Sequence, residues 1–198
     1  MERAEFFDRL ATELDPLAIL PEHESRMERL RERLGDLRGK RVLEPGCGAG
    51  ALSRRLAEWV GRGGRVLAWD PSEGMVAHCR RVVQDFAQVE VAQGTAEEIV
   101  IGAGEWDLAL CFRVYPHLEK PELFLGRCGD WLVPGGELVV ANLEGSESLN
   151  AMHAELPGVR EDRMPAAEAL AALLRELGWQ VVAAIDEPEE YYVRARRP

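Results

Sequence analysis

The chain has no apolar run approaching the roughly 18–20 residues that span a bilayer. Its first residues, MERAEFFDRLATELD, are charged and lack the apolar stretch of a signal peptide. A cytoplasmic protein with no membrane partner is expected. Basic charge is also in short supply: 24 Lys and Arg stand against 35 Asp and Glu, for a formal net charge of −11. An acidic protein repels a phosphate backbone, and Arg194, Arg196 and Arg197 form too short a cluster to line a groove. Nucleic acid is therefore not the expected partner. Cysteine is sparse: Cys47, Cys79, Cys111 and Cys128 include no C-x-x-C pair and no zinc-like spacing. They read as reduced, small apolar fillers, and no metal is expected. Cys47 and Cys111 fall at strand ends, where a thiol could touch a ligand. Internal repeats and low-complexity tracts are absent. With 46% hydrophobic and 30% charged residues, the 198-residue chain suits one well-buried domain and is too short for two full ones.

What is present is concentrated in Lys40–Gly50, KRVLEPGCGAG. Val42 and Leu43 end a buried strand, and Gly46, Gly48 and Gly50 then alternate with small residues. Leu52, Leu56 and Trp59 open a helical pattern directly afterwards. Glycine permits positive φ and lets backbone N–H groups come close to a ligand. A helix that starts there adds orphan donors and a partial positive charge. This combination predicts a cofactor cradle.

Alternation organises the rest. Strands read at 41–44, 65–69, 89–92, 106–111 and 136–142, with helices near 50–60, 72–86 and 119–131. Such a succession implies a parallel sheet covered by helices on both faces. Ahead of it, Phe6, Leu10 and Leu14, and then Met27, Leu30 and Leu34, mark two helical patterns separated by the turn DPLAILPEH. After it, a helix near 166–177 leads into two strands joined by Asp186-Glu187-Pro188-Glu189, short enough to force an antiparallel hairpin. The fold class is α/β: a Rossmann-like doubly wound sheet, mostly parallel, closed by a C-terminal antiparallel hairpin.

The glycine loop also satisfies the dinucleotide pattern G-x-G-x-x-G/A, and Asp70 lies 20 positions after Gly50, at the end of the next strand. A carboxylate there accepts hydrogen bonds from ribose hydroxyls. Loop and Asp70 together indicate an adenosine ligand without saying which. Three features separate the choices. Glu44 precedes the glycines, LVPGGELVV places Pro134-Gly135-Gly136 between a helix and a strand, and the chain ends in a hairpin rather than a second domain for a hydride acceptor. With VLEPGCGAG, VLAWDPSEGM, GTAEEI and EWDLALCFRVYPHLEKPE in that order, residues 38–196 resemble the class I S-adenosylmethionine-dependent methyltransferases of the small-molecule, type 11-like group.

That resemblance implies the seven-stranded methyltransferase fold and S-adenosylmethionine as cofactor. It implies that the backbone at Gly46, Cys47 and Gly48 holds the methionine part, with the charge of Glu44 beneath it. Asp70 is implied to take the ribose diol, Pro71 and Met75 to touch the adenine, and Ser72 to cap the following helix. Family members often carry Asp where this chain has Thr95, so the adenine amino group would meet an uncharged hydroxyl. Ala96 would offer its backbone N–H to the ring, and Cys111 and Phe112 would face the methionine group. Structural readings stand beside these: Glu44 as a loop anchor, Met75 as core, Thr95 as an ordinary cap.

Methyl transfer is displacement at an activated carbon, so alignment dominates and a base is optional. Tyr115, His117, Asn150, His153 and Tyr191 are the candidates for a base or substrate anchor, with His117 and Tyr115 foremost. Capping or packing is the competing account of His117. Asn150 and His153, three apart, share a helix face and are read as a substrate lid, against the simpler reading of a solvated helix. The resemblance divides a single methyltransferase domain, 1–198, into a helical lid at 1–37, a cofactor core at 38–143, a substrate-lid segment at 144–165, and a helix with hairpin at 166–198. The Asn/Asp-Pro-Pro-aromatic motif of enzymes that methylate amino groups on bases or amides is absent, since CFRVYP stands there. The expected acceptor is a small molecule, and the expected assembly a monomer or homodimer. An NAD-dependent oxidoreductase and a non-catalytic S-adenosylmethionine-binding module are the alternatives.

Overall fold

The computed structural model describes residues 9–12, 19–96 and 98–198. Phe6 and Leu14, and with them most of the first helical pattern, lie outside the described residues. Seven strands form one sheet in the order β3-β2-β1-β4-β5-β7-β6. They are β1 (Arg41–Pro45), β2 (Arg65–Asp70), β3 (Val89–Gln93), β4 (Trp106–Phe112), β5 (Leu132–Asn142), β6 (Gln180–Glu187) and β7 (Glu190–Arg196). The chain divides into two compact units, Met1–Thr95 and Ala96–Pro198.

In the first unit, β1, β2 and β3 run parallel, with Val42 beside Val66 and Val66 beside Val89. Buried parallel strands read as continuous apolar runs, and Val66 to Trp69 follow that rule, all buried. Helices α1 (Glu24–Leu34), α2 (Ala51–Val60) and α3 (Glu73–Val82) belong to the same unit. Met27, Leu30 and Leu34 are the buried stripe of α1, as their spacing predicts. Arg55 ties α2 to α1 through Glu24 at 2.6 Å. The helix expected at 72–86 ends earlier, at Val82, and Val83 closes it through Cys79 O.

In the second unit, β4 and β5 are parallel, while β5–β7 and β6–β7 are antiparallel. Helix α4 (Pro121–Trp131) passes directly into β5, so Pro134-Gly135-Gly136 is not the helix–strand turn that the sequence suggests. It forms a bulge inside β5: Trp106 pairs with Leu132 and Leu108 with Glu137, five positions on β5 against two on β4. Gly135 has φ 76°, and Gly135 N–H and Gly136 O bond to Arg197 at 3.0 and 2.8 Å. The terminal hairpin turns through Pro188-Glu189 alone, with Glu187 facing Glu190. Asp186 therefore belongs to β6, and its carboxylate takes another task. It accepts from Ser146 N and Oγ, both at 2.7 Å, and from Ala167 N at 3.0 Å. One side chain thus caps α5 (Ser146–Glu155) and α6 (Ala167–Glu176) together. No described helix is long and apolar enough to cross a membrane.

Candidate active site

The glycine loop of the first unit takes its shape from three left-handed glycines, Gly46, Gly48 and Gly50, with φ of 63°, 52° and 93°. At Gly50 the constraint is also steric, since a Cβ would lie 2.9 Å from the Cys79 Cα of α3. Gly50→Ala is expected to cost about 2–4 kcal/mol of stability through strain and overlap, read as a lowered denaturation midpoint.

Asp70, at the end of β2, draws the loop together. Its Oδ2 accepts from Gly48 N at 3.0 Å and its Oδ1 from Ser72 N at 3.0 Å. Cys47 N donates to Trp69 O at 3.0 Å, so the loop is stitched to the strand at two successive residues. Ser72 then caps α3, accepting from Met75 N at 3.3 Å. Loop, carboxylate and helix start form one hydrogen-bonded clamp.

Glu44, on β1 just ahead of the glycine loop, is 2% exposed, and its Oε2 has no hydrogen-bond partner among the described residues. Burial raises its pKa well above the ordinary 4.5, the nearby Cys79 and Asp70 push it further in the same direction, and a hydrogen bond with Ser53 opposes them. The buried carboxyl is thereby held towards its neutral form. Between 4.5 and the raised folded value the folded chain binds a proton that the unfolded chain has lost, so stability declines as pH rises through that window. Glu44→Gln is expected to abolish the decline and raise the melting temperature at neutral pH, while weakening the binding of a cationic ligand. Thermal melts across pH check the first effect.

The remaining candidates of this unit are placed unevenly. Pro71 is exposed. Met75 is 1% exposed and packs with Ala49 and Ala11, beside Leu10. His78 Nε2 bonds to Ala11 O at 2.9 Å, fastening the 9–12 segment to α3. Met75 is thus core in this structure. Thr95 is half-buried at the unit's end.

In the second unit, Ala96 is buried and its carbonyl accepts from Arg127 at 3.1 Å. Cys111 and Phe112 close β4, both buried, and burial pushes the Cys111 thiol up. Tyr115 and Tyr191 are buried, and desolvation raises both phenols, so neither is predisposed to act as a base. Tyr191 OH has no hydrogen-bond partner among the described residues.

His117 lies in the 3-10 turn Tyr115–His117, and its Nδ1 meets Asp162 Oδ2 at 2.6 Å. Asp162 is 4% exposed. Its backbone carbonyl meets Nδ1 of His153 at 3.0 Å, and the two imidazoles lie 5.0 Å apart. His153 is buried, which lowers its pKa and favours the neutral ring. The solvated-helix alternative therefore fails for His153. Asn150 spends both ends of its amide on Met164, donating to O at 2.9 Å and accepting from N at 2.8 Å. Asn150 and His153 thus hold the 162–164 segment, and with it Asp162, against α5. Sequence reasoning missed Asp162: it lies 45 residues from His117 in an irregular stretch, and no spacing signals the pairing.

A carboxylate on Nδ1 fixes the imidazole tautomer and leaves the lone pair on Nε2, the arrangement a general base requires. In the first unit, donors from a positive-φ loop, a carboxylate at the next strand end and an unpartnered buried carboxyl oxygen suit an adenosine ligand with a cationic tail. Groups of three or more His, Cys, Asp or Glu able to hold a metal are absent among the described residues.

The chain is similar in sequence and in fold to known methyltransferases. The methyltransferase-domain family matches residues 42–136. The ubiquinone biosynthesis O-methyltransferase of Azorhizobium caulinodans is 33% identical over 111 residues, covering 56% of this chain and 43% of that protein. Its Escherichia coli namesake is 31% identical over 120 residues, 60% of this chain and 49% of that protein. The chain spans about half the length of the curated relatives it matches. Among solved structures, an S-adenosylmethionine-dependent methyltransferase from Aquifex aeolicus superposes with a TM-score of 0.78 at 21% identity, covering 96% of this chain and 98% of that one. The N-methyltransferase NodS from Bradyrhizobium japonicum, in complex with S-adenosyl-L-homocysteine, gives 0.76 at 20% identity with full coverage of both chains. The fold is that of the methyltransferases.

Proposed function

We propose that this chain, residues 1–198 acting as one catalytic domain, transfers a methyl group from S-adenosylmethionine to a small molecule by direct displacement. The observation that carries the reading is the Asp70 clamp on Gly48 and Ser72, together with the unpartnered Oε2 of buried Glu44. Asp70 is suited to the ribose diol, the Gly46–Gly48 backbone to the methionine carboxylate, and Glu44, neutral without ligand and ionised once a cation lies beside it, to the cationic end of the ligand. The cofactor supplies a methyl group on a sulfonium, already activated. What remains for the protein is alignment and, for a protic acceptor, removal of one proton. His117 takes that role in this proposal: Asp162 holds Nδ1–H, so Nε2 receives the acceptor's proton.

The net charge of −11 supports a small acceptor over a nucleic acid. Four buried free thiols suit a reducing compartment, and a cytoplasmic location is part of the proposal. Isothermal titration tests the cofactor assignment. Saturable binding of S-adenosylmethionine and S-adenosylhomocysteine is expected. Binding of NADH with neither of these would overturn it, and cofactor binding without methyl transfer to any of a broad acceptor panel would favour a cofactor-sensing module.

A further inference from the structure

Arg113 follows the last residue of β4 and has φ 58°, the non-glycine in the left-handed region among the described residues. The conformation is tied to the sheet, because Arg113 N–H donates to Ala141 O of β5 at 2.9 Å. A residue with a Cβ is strained there, and glycine would relieve the strain. The sheet thus holds a long cationic side chain in an unfavourable backbone state, at the C-terminal ends of two parallel strands. In open α/β sheets that end is where ligands bind.

The guanidinium is also unprovided for. Other half-buried arginines of this unit have partners: Arg127 donates to Ala96 O and Ile99 O, and Arg194 pairs with Glu137 at 2.5 Å. Arg113 is half-buried and its guanidinium makes no hydrogen bond or ion pair among the described residues. Glu144 favours its charge, and desolvation outweighs that help, lowering the pKa of a group that stays charged regardless. A desolvated guanidinium that Glu144 offsets only in part, and that makes no hydrogen bond of its own, is favoured by contact with an anion. Its planar donor fork matches two oxygens of one acidic group.

We propose that Arg113 is a specificity residue that anchors an acidic acceptor, gripping a carboxylate or phosphate group on the molecule to be methylated. This rests on the methyltransferase reading and narrows its substrate class to small molecules that carry an oxyanion besides the methylated atom. The bond is electrostatic, so no group transfer occurs at Arg113 itself.

Benzoate, phenyl phosphate and the neutral benzyl alcohol are suitable probes of the S-adenosylhomocysteine-loaded protein. Binding is followed by calorimetry and by the nitrogen-15 resonance of Arg113 Nε, assigned by its loss in Arg113→Lys. Saturable binding of one or both anions with displacement of that resonance, and none of benzyl alcohol, is the expected result. The preferred anion identifies the acidic group. Arg113→Met should weaken it at least about tenfold, the loss of one charge-assisted contact, and Arg113→Lys should retain part of it. Arg113→Gly, which the backbone accepts without strain, guards against misfolding and should lose binding equally. Absence of binding by both anions, equal binding of benzyl alcohol, or undiminished binding by Arg113→Met and Arg113→Gly would each overturn the proposal. If S-adenosylhomocysteine fails to bind, the cofactor reading falls, and the same titrations on the ligand-free protein still decide the role of Arg113.

Discussion

Replacing Asp70 with alanine is expected to weaken S-adenosylmethionine binding by about 1.5–3 kcal/mol, roughly 10- to 150-fold in affinity, as charge-assisted hydrogen bonds are lost. Asp70 has a second task, since its two oxygens also hold Gly48 N–H and Ser72 N–H. Gly48 is buried, so its N–H loses a partner it cannot replace with bulk water, at about 1–3 kcal/mol. Affinity and melting temperature should therefore fall together. Calorimetry and thermal melts on the same samples separate the two contributions. A lowered melting temperature with unchanged affinity would show that the carboxylate is a loop tether and that the ribose contact is misassigned.

The second large effect is expected at the imidazole. His117→Ala should lower kcat by about 10²–10⁴-fold on an acceptor that must lose a proton, the range for removing a positioned base. Asp162→Asn should reproduce part of that loss, because an amide no longer enforces the Nδ1–H tautomer. A base works only when unprotonated, so turnover of the parent protein should rise with pH. That rise should vanish in His117→Ala. Unaltered turnover at saturating substrate would exclude His117 as the base and leave it as a packing partner of His153 and Asp162.

The sequence carried most of the fold because the signals were local. Strands β2 and β4 announce themselves as largely apolar runs bounded by turns, and the stripe Met27, Leu30, Leu34 marks α1 by spacing alone. The Pro134-Gly135-Gly136 bulge was not legible, since Pro-Gly-Gly is turn chemistry in any setting. Only the long-range bonds to Arg197 place it inside a strand. The site divides in the same way. Glu44, the glycines and Asp70 are tied to strand ends and can be located by counting. Asp162 and Arg113 cannot. One depends on a contact across 45 residues, and the other on a backbone angle that no residue type reveals. Asp186 looked like turn chemistry in the sequence and proved to be a shared helix cap.

The hairpin has a consequence for the order in which the second unit can be made. β7 is later in the chain than β6, yet it lies between β6 and β5. On a ribosome, β6 therefore emerges with no strand to pair with, and β5 keeps an open edge along Leu138 to Asn142 until Tyr191 to Ala195 arrive. Such an edge is a template for wrong pairing. A nascent chain halted before residue 190 lacks an interior strand rather than an outer one, and should be held by chaperones or degraded.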